Sequence, residues 1–172
     1  LKQGYKVIVV SSAMSGETNK LVKLTKKISN NFAPSEYDSI VSTGEQVSCS
    51  LIAGRLIDKG YLSRSWLGWQ IPILTKGSYS HSRILSVNKK KILQFLKQGG
   101  TPIITGFQGI NAESRITTVG RGGSDASAIM MAKFFKAEKC IIYTDVDGVY
   151  TTDPNVAPKA KKIKKISYEE ML

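Results

Sequence analysis

Histidine and cysteine are almost missing from this chain, which has one His and two Cys in 172 residues. A lone His81 leaves no set of metal-ligating side chains. Cys49 and Cys140 stand far apart in apolar-flanked segments, so two buried, reduced thiols are expected rather than a disulfide or metal site. No apolar run approaches the ~20 residues that span a bilayer, and no leader precedes the strand-like Lys6–Val10, so a cytoplasmic protein without a membrane partner is expected. Aromatic residues are sparse at 8% and do not interleave the lysine clusters at 89–91 and 159–165. A specific nucleic-acid partner is therefore not expected, although DNA binding through the lysines is the alternative. Acids are few as well, 13 against 25 bases, and the net charge of +12 reads as a solvated lysine surface that draws anionic ligands. Position 1 lacks a Met, so the numbering is expected to begin inside a longer product.

What is present suits a folded domain: 41% hydrophobic residues and no linker rich in Pro, Gly or Ser. Val7–Val10 is a β-branched run of the kind covered on both faces of a parallel sheet. A helix follows from near Thr18, with Leu21, Val22, Leu24 and Ile28 at helical spacing, and a second is predicted over about 37–58. Short strands flank a turn at Gly68, 78–86 reads as a polar loop, and Asn88 is positioned to cap a helix ending at Gly99-Gly100. Pro102–Thr105 is a predicted strand. The helix opening at Ser124 is apolar almost all round and is expected deep in the domain, and Cys140–Tyr143 is expected to be a buried strand. Ser167 with Glu170 fits a capping box. Alternating strands and helices predict an α/β three-layer sandwich with a mostly parallel central sheet.

Four segments carry candidate chemistry. Thr117–Asp125 places Gly120, Gly122 and Gly123 before a helix, where backbone N–H groups and the positive helix end favour an anion. Arg121 adds a planar fork for carboxylate or phosphate, Ser124 a cap, and Asp125 a partner for an ammonium group. An ordinary tight turn is the alternative. The loop is neither a Walker loop nor a dinucleotide fingerprint, and the protein-kinase catalytic loop is absent. In Tyr143–Pro154 a buried strand would end in polar residues, with Tyr150 as a flat face for a purine and carboxylates for ribose hydroxyls or magnesium-bound water. A merely structural acidic turn is the alternative there. Ser42-Thr43-Gly44-Glu45 sets one carboxylate in a small-residue stretch, with a surface glutamate as its plain reading. Ser11–Asn19 is hydroxyl-rich directly after a strand and reads as a phosphate- or substrate-facing loop, though helix capping by Thr18 explains much of it equally well.

In this order the four segments resemble the aspartokinases of the amino-acid kinase family, over essentially the whole chain. Gly120–Asp125 and Thr144–Pro154 are the most specific parts. Ser42–Glu45 separates aspartokinases from relatives acting on glutamate, acetylglutamate, carbamate or uridylate. The resemblance implies that Thr18, Glu45, Arg121 and Asp125 contact L-aspartate, with Gly122, Gly123 and Ser124 framing the pocket and Asp125 orienting the substrate. It implies that Thr144, Asp145, Tyr150 and Asp153 hold the adenosine of ATP, that Ser12 lies near the phosphates, and that Mg²⁺ arrives bound to the nucleotide. A homodimer is the assembly it allows.

The implied reaction moves the γ-phosphate of ATP onto the aspartate side-chain carboxylate, the start of lysine, threonine and methionine synthesis. That carboxylate is ionised at neutral pH, so positive charge and alignment are needed rather than a base. Family members carry a Lys-Phe-Gly-Gly strand whose lysine faces the phosphoryl group, a second lysine beyond the final helix entry, and C-terminal regulatory domains. All three are absent from these 172 residues, and Asn155 stands where relatives usually carry arginine. Residues 1–172 are thus expected to be a catalytic domain truncated at both ends, weakly active or inactive alone and without feedback inhibition. The rival readings are a catalytically silent remnant that binds ATP or a partner, and a related small-acid kinase with a glutamate-type acceptor.

Overall fold

The computed structural model describes residues 4–120, 122–144, 148, 150–152 and 156–163. The chain divides into two compact units, 1–140 and 141–172.

In the first unit, β1 (Val9–Ser11), β5 (Thr101–Thr105) and β2 (Ser63–Trp66) form a parallel sheet in the order β1-β5-β2. Successive side chains of a strand point to opposite faces, so β5 needs cover on both. Ile103 packs with Cys49 and Ala53 of α3 (Thr43–Asp58). Its neighbour Ile104 joins Ile92 and Leu96 of α4 (Lys90–Lys97) and Met131 of α5 (Gly123–Phe135) on the other face. Helix, sheet and helix thus make the three layers that the strand–helix alternation predicts. Each fully buried Ile contributes roughly 1.5–3 kcal/mol. Trp66 meets Phe95 of α4 edge to face, with ring centroids 6.0 Å apart.

A second sheet runs β4-β3-β6-β7, built from β3 (Ile73–Lys76), β4 (Arg83–Val87), β6 (Gln108–Ile110) and β7 (Ile116–Thr118). Its β3/β6 pairing is parallel, while β3/β4 and β6/β7 are antiparallel. Helices α1 (Glu17–Ile28) and α2 (Pro34–Val41) complete the unit.

Several local expectations are corrected. The helix predicted over 37–58 is two helices meeting at Ser42, and Pro34 starts α2 because a first-turn proline loses no helical hydrogen bond. Residues 83–87, most of them within the predicted polar loop, are strand β4, which buries Ile84 and Val87 against β3. Helix α5 is covered on one face only: Ser127 and Met131 are buried while Ile129 is exposed. Asn88 stands one residue before the cap position but still accepts from the Lys90 amide at 3.2 Å.

In the second unit, Tyr150 and Lys162 form an antiparallel bridge, and Thr151 N donates to Lys161 O at 3.0 Å. The buried strand expected at 140–143 is not formed. Those residues are exposed, Tyr143 to 91%, because a strand exists only through a ladder and none of the described residues pairs with them. Cys140 is accordingly exposed, whereas Cys49 is buried with its thiol pushed up to about 11 by burial. The capping box at Ser167–Glu170 lies outside the described residues. Among the described residues, no helix is long and apolar enough to cross a membrane.

Candidate functional site

Parallel pairing aligns the carboxyl ends of β1 and β5, with Ser11 beside Thr105, and ligands of open α/β sheets gather outside such ends. Two loops and a helix start converge there. The first leaves β1 through Ser12–Gly16 and enters α1. Gly16, at φ 79°, is the residue before the helix, so Thr18 lies inside α1 and caps nothing. Among the described residues its hydroxyl has no hydrogen-bond partner.

The second element is the start of α3. Ser48 donates to Ser12 O at 2.6 Å, and Ser11 Oγ donates to Ser48 Oγ at 3.0 Å, which fastens α3 to the β1–α1 loop. Gly44 faces that loop so closely that a Cβ there would stand 2.9 Å from Ala13 Cβ and 4.0 Å from Thr18 Oγ1. The next residue, Glu45, is 3% exposed. Its Oε1 accepts from the Ala13 amide at 3.2 Å, while Oε2 is buried without a hydrogen-bond partner among the described residues. Burial pushes the carboxyl up to about 7, opposed by weaker backbone hydrogen bonds. A buried acid with one bare oxygen is the opposite of the surface glutamate that a sequence prior favours.

The third element, again a loop, runs from β7 through Gly120 to α5. Gly122, at φ 70°, takes the N-cap position expected of Ser124, because a left-handed turn admits glycine without strain. Ser124 instead packs on Gly106: a Cβ at Gly106 would meet Ser124 Oγ at 3.0 Å and Ser11 O at 3.1 Å. The Gly106 amide itself donates to Ser11 O at 3.0 Å. Phe107 holds a left-handed backbone, φ 63°, which costs a non-glycine residue about 1–2 kcal/mol. It is held there by its amide donating to Ser127 Oγ at 3.0 Å, by Val119 N donating to its carbonyl at 2.9 Å, and by its ring filling the space a side chain at Gly123 would need. Such strain, locked by its surroundings, is common at functional sites.

The structure therefore brings Ser12, Thr18, Glu45 and Ser124 to one end of the parallel sheet, with Gly122, Gly123 and Asp125 at the start of α5 beside them. Asp125 and Gly122 are both exposed. Arg121, Asp145 and Asp153 lie outside the described residues. Thr144 and Tyr150 belong to the second unit, where Tyr150 is half-buried. Chemically, the first unit offers hydroxyls, a carboxylate oxygen in want of a donor, and a helix start that favours an anion. That combination suits a small zwitterion.

Three supporting residues were not singled out from the sequence. Ser48 lies three positions after Glu45 and looks like a helix-surface serine. Gln108, 1% exposed, donates from Nε2 to Ser42 O at 2.8 Å and fixes the α2–α3 junction. Asp38 is fully buried in α2. Only the small-residue run around Glu45 hinted at close packing.

The chain matches the amino acid kinase family over residues 1–172. It is 50% identical over 169 residues to an aspartate kinase of Pseudomonas putida, a match covering 98% of this chain and 41% of that protein. Among solved structures it resembles aspartate kinase from Synechocystis, with TM-score 0.74, 40% identity, and coverage of 93% of this chain and 26% of that one. It also resembles E. coli aspartokinase III in complex with aspartate and ADP, with TM-score 0.71, 29% identity, and coverage of 84% and 33%.

Proposed function

The chain belongs to the amino acid kinase family, and on that premise we propose that residues 1–172 form part of the catalytic domain of an aspartokinase, transferring the γ-phosphate of ATP to the side-chain carboxylate of L-aspartate. The chain spans about two fifths of the length of the Pseudomonas putida relative. The observation that carries the acceptor assignment is the bare, buried Oε2 of Glu45 beside the β1–α1 loop. An α-ammonium group gives that oxygen its missing donors, and Thr18 and Ser124 supply hydroxyls to the same ligand. Arg121 and the α5 start take a carboxylate, and Asp125 orients the ammonium end. The resemblance to a structure with aspartate and ADP supports the same pairing of ligands.

In the proposed step an aspartate carboxylate oxygen attacks the γ-phosphorus, and the bond from that phosphorus to the β–γ bridging oxygen breaks. The products are ADP and 4-phospho-L-aspartate. No proton leaves the nucleophile, so the protein's part is alignment and charge cancellation. Mg²⁺ would ride on the nucleotide's phosphates and neutralise them. Ser12 would lie near those phosphates, with Thr144, Asp145, Tyr150 and Asp153 on the adenosine.

Calorimetric titration of the chain with L-aspartate and with MgATP, beside an assay for ADP release, tests the reading. Aspartate binding that vanishes in Glu45→Ala and is not matched by L-glutamate is the expected result. Equal affinity for glutamate would overturn the acceptor assignment, and nucleotide binding without aspartate binding would favour a nucleotide-binding remnant.

A further inference from the structure

Asp38 is a carboxylate at 0% exposure with no cation among its hydrogen-bond partners in the described residues. Every acceptor site on it is used. Oδ2 takes the backbone amides of Ser80 and Thr118, both at 2.8 Å, and Oδ1 takes their hydroxyls at 2.8 and 3.0 Å. One side chain from α2 therefore clamps two segments that lie 42 and 80 positions away in sequence.

Both clamped segments bear on the glycine loop. Thr118 ends β7, two residues before Gly120. Ser80 has φ 64°, a left-handed conformation that a serine does not hold unaided. Its carbonyl packs on Gly120, where a Cβ would stand 3.1 Å from Ser80 O and 3.4 Å from His81 Nδ1. Ser82 N donates to Thr118 O at 3.0 Å and closes the same unit. The 78–82 turn is thus the floor of the loop that leads to Arg121 and α5, and Asp38 holds floor and loop entry in register.

We propose that Asp38 is a positioning residue: by locking Ser80 and Thr118 it sets the Gly120–Gly123 loop for the acceptor. This rests on the acceptor reading of that loop given above. Asp38 touches no substrate and acts through the two segments it clamps. Removing its oxygens leaves the buried Thr118 amide and the part-buried Ser80 amide without acceptors and frees Ser80 to leave its left-handed turn.

The test compares the 172-residue chain with Asp38→Ala, Asp38→Asn and Thr118→Val, by L-aspartate calorimetry and by amide hydrogen exchange over 78–82, 116–123 and, as an internal control, β5. Asp38→Ala is expected to speed exchange in the first two segments while β5 stays protected, and to weaken aspartate binding about tenfold or more, as misplacing a binding group does. Asp38→Asn should recover most of the affinity, because its Oδ1 still accepts both amides while its Nδ2 donates to hydroxyls that turn to accept. Thr118→Val deletes one arm at nearly constant shape, so it reads the clamp even where Asp38→Ala does not fold, and should loosen the same two segments to a smaller extent. Unchanged exchange in every variant, or exchange that rises equally in β5, would overturn the clamp. Failure of the unsubstituted chain to bind aspartate overturns the acceptor reading instead, and exchange then decides whether Asp38 holds the loop.

Discussion

At the residue scale, Glu45 links stability to recognition. Its carboxyl holds a proton up to about 7 in the folded chain, against an ordinary 4.5. Between those values the folded state binds more protons than the unfolded one, so this group's contribution to stability falls as pH rises from about 4.5 to 7. Above that window the cost of burying its charge is on the order of 3 kcal/mol. Glu45→Gln should therefore flatten the stability profile in urea melts across that window, gaining on the parent by roughly 2–3 kcal/mol between its acid and alkaline ends. The same change should abolish aspartate binding. An ammonium ligand favours the ionised carboxylate, so aspartate binding near pH 7 should release about half a proton, read as a dependence of binding heat on buffer ionisation enthalpy. A parallel pH profile in Glu45→Gln, or heats independent of buffer, would count against this assignment of the bare oxygen.

At the element scale, the glycines separate into those that a neighbour requires and those that it does not. Gly54 lies in α3, and a methyl added to it would have nothing within 4 Å, so Gly54→Ala should stabilise the helix by about 0.5–1 kcal/mol and raise Tm by about 2–3 °C. Gly109 in β6 is the reverse case. A Cβ there would meet Ile73 O at 2.5 Å, a backbone atom of the paired strand β3, so Gly109→Ala should cost about 1–3 kcal/mol in the same melts. Gly44 shares its helix with Gly54, yet a methyl there presses on Ala13, whose amide serves Glu45. The position in the fold, not the residue type, decides the sign.

At the scale of the whole molecule, the net charge of +12 sets a long-range field rather than a fold. It raises the local concentration of anions, so MgATP affinity should fall severalfold between about 0.05 M and 0.5 M salt. Binding that ignores salt would confine the attraction to short-range contacts. The same field acts on DNA, and a steep salt dependence there without any loss on Arg121→Ala would favour the nucleic-acid reading.

Periodicity and turn chemistry in the sequence alone determined the α/β class, the strands near 7–10 and 102–105 and the glycine-rich entry to α5, because burial on both faces of a strand demands continuous apolar runs wherever it occurs. Tertiary structure alone decided the rest. It turned Glu45 from an apparent surface acid into a buried one, moved the caps from Thr18 and Ser124 to Gly16 and Gly122, and made strand β4 from a polar stretch. It also gave Asp38 its four hydrogen bonds from Ser80 and Thr118. Each of these depends on packing beyond its own segment, and a local window carries no record of which loop will lie against it.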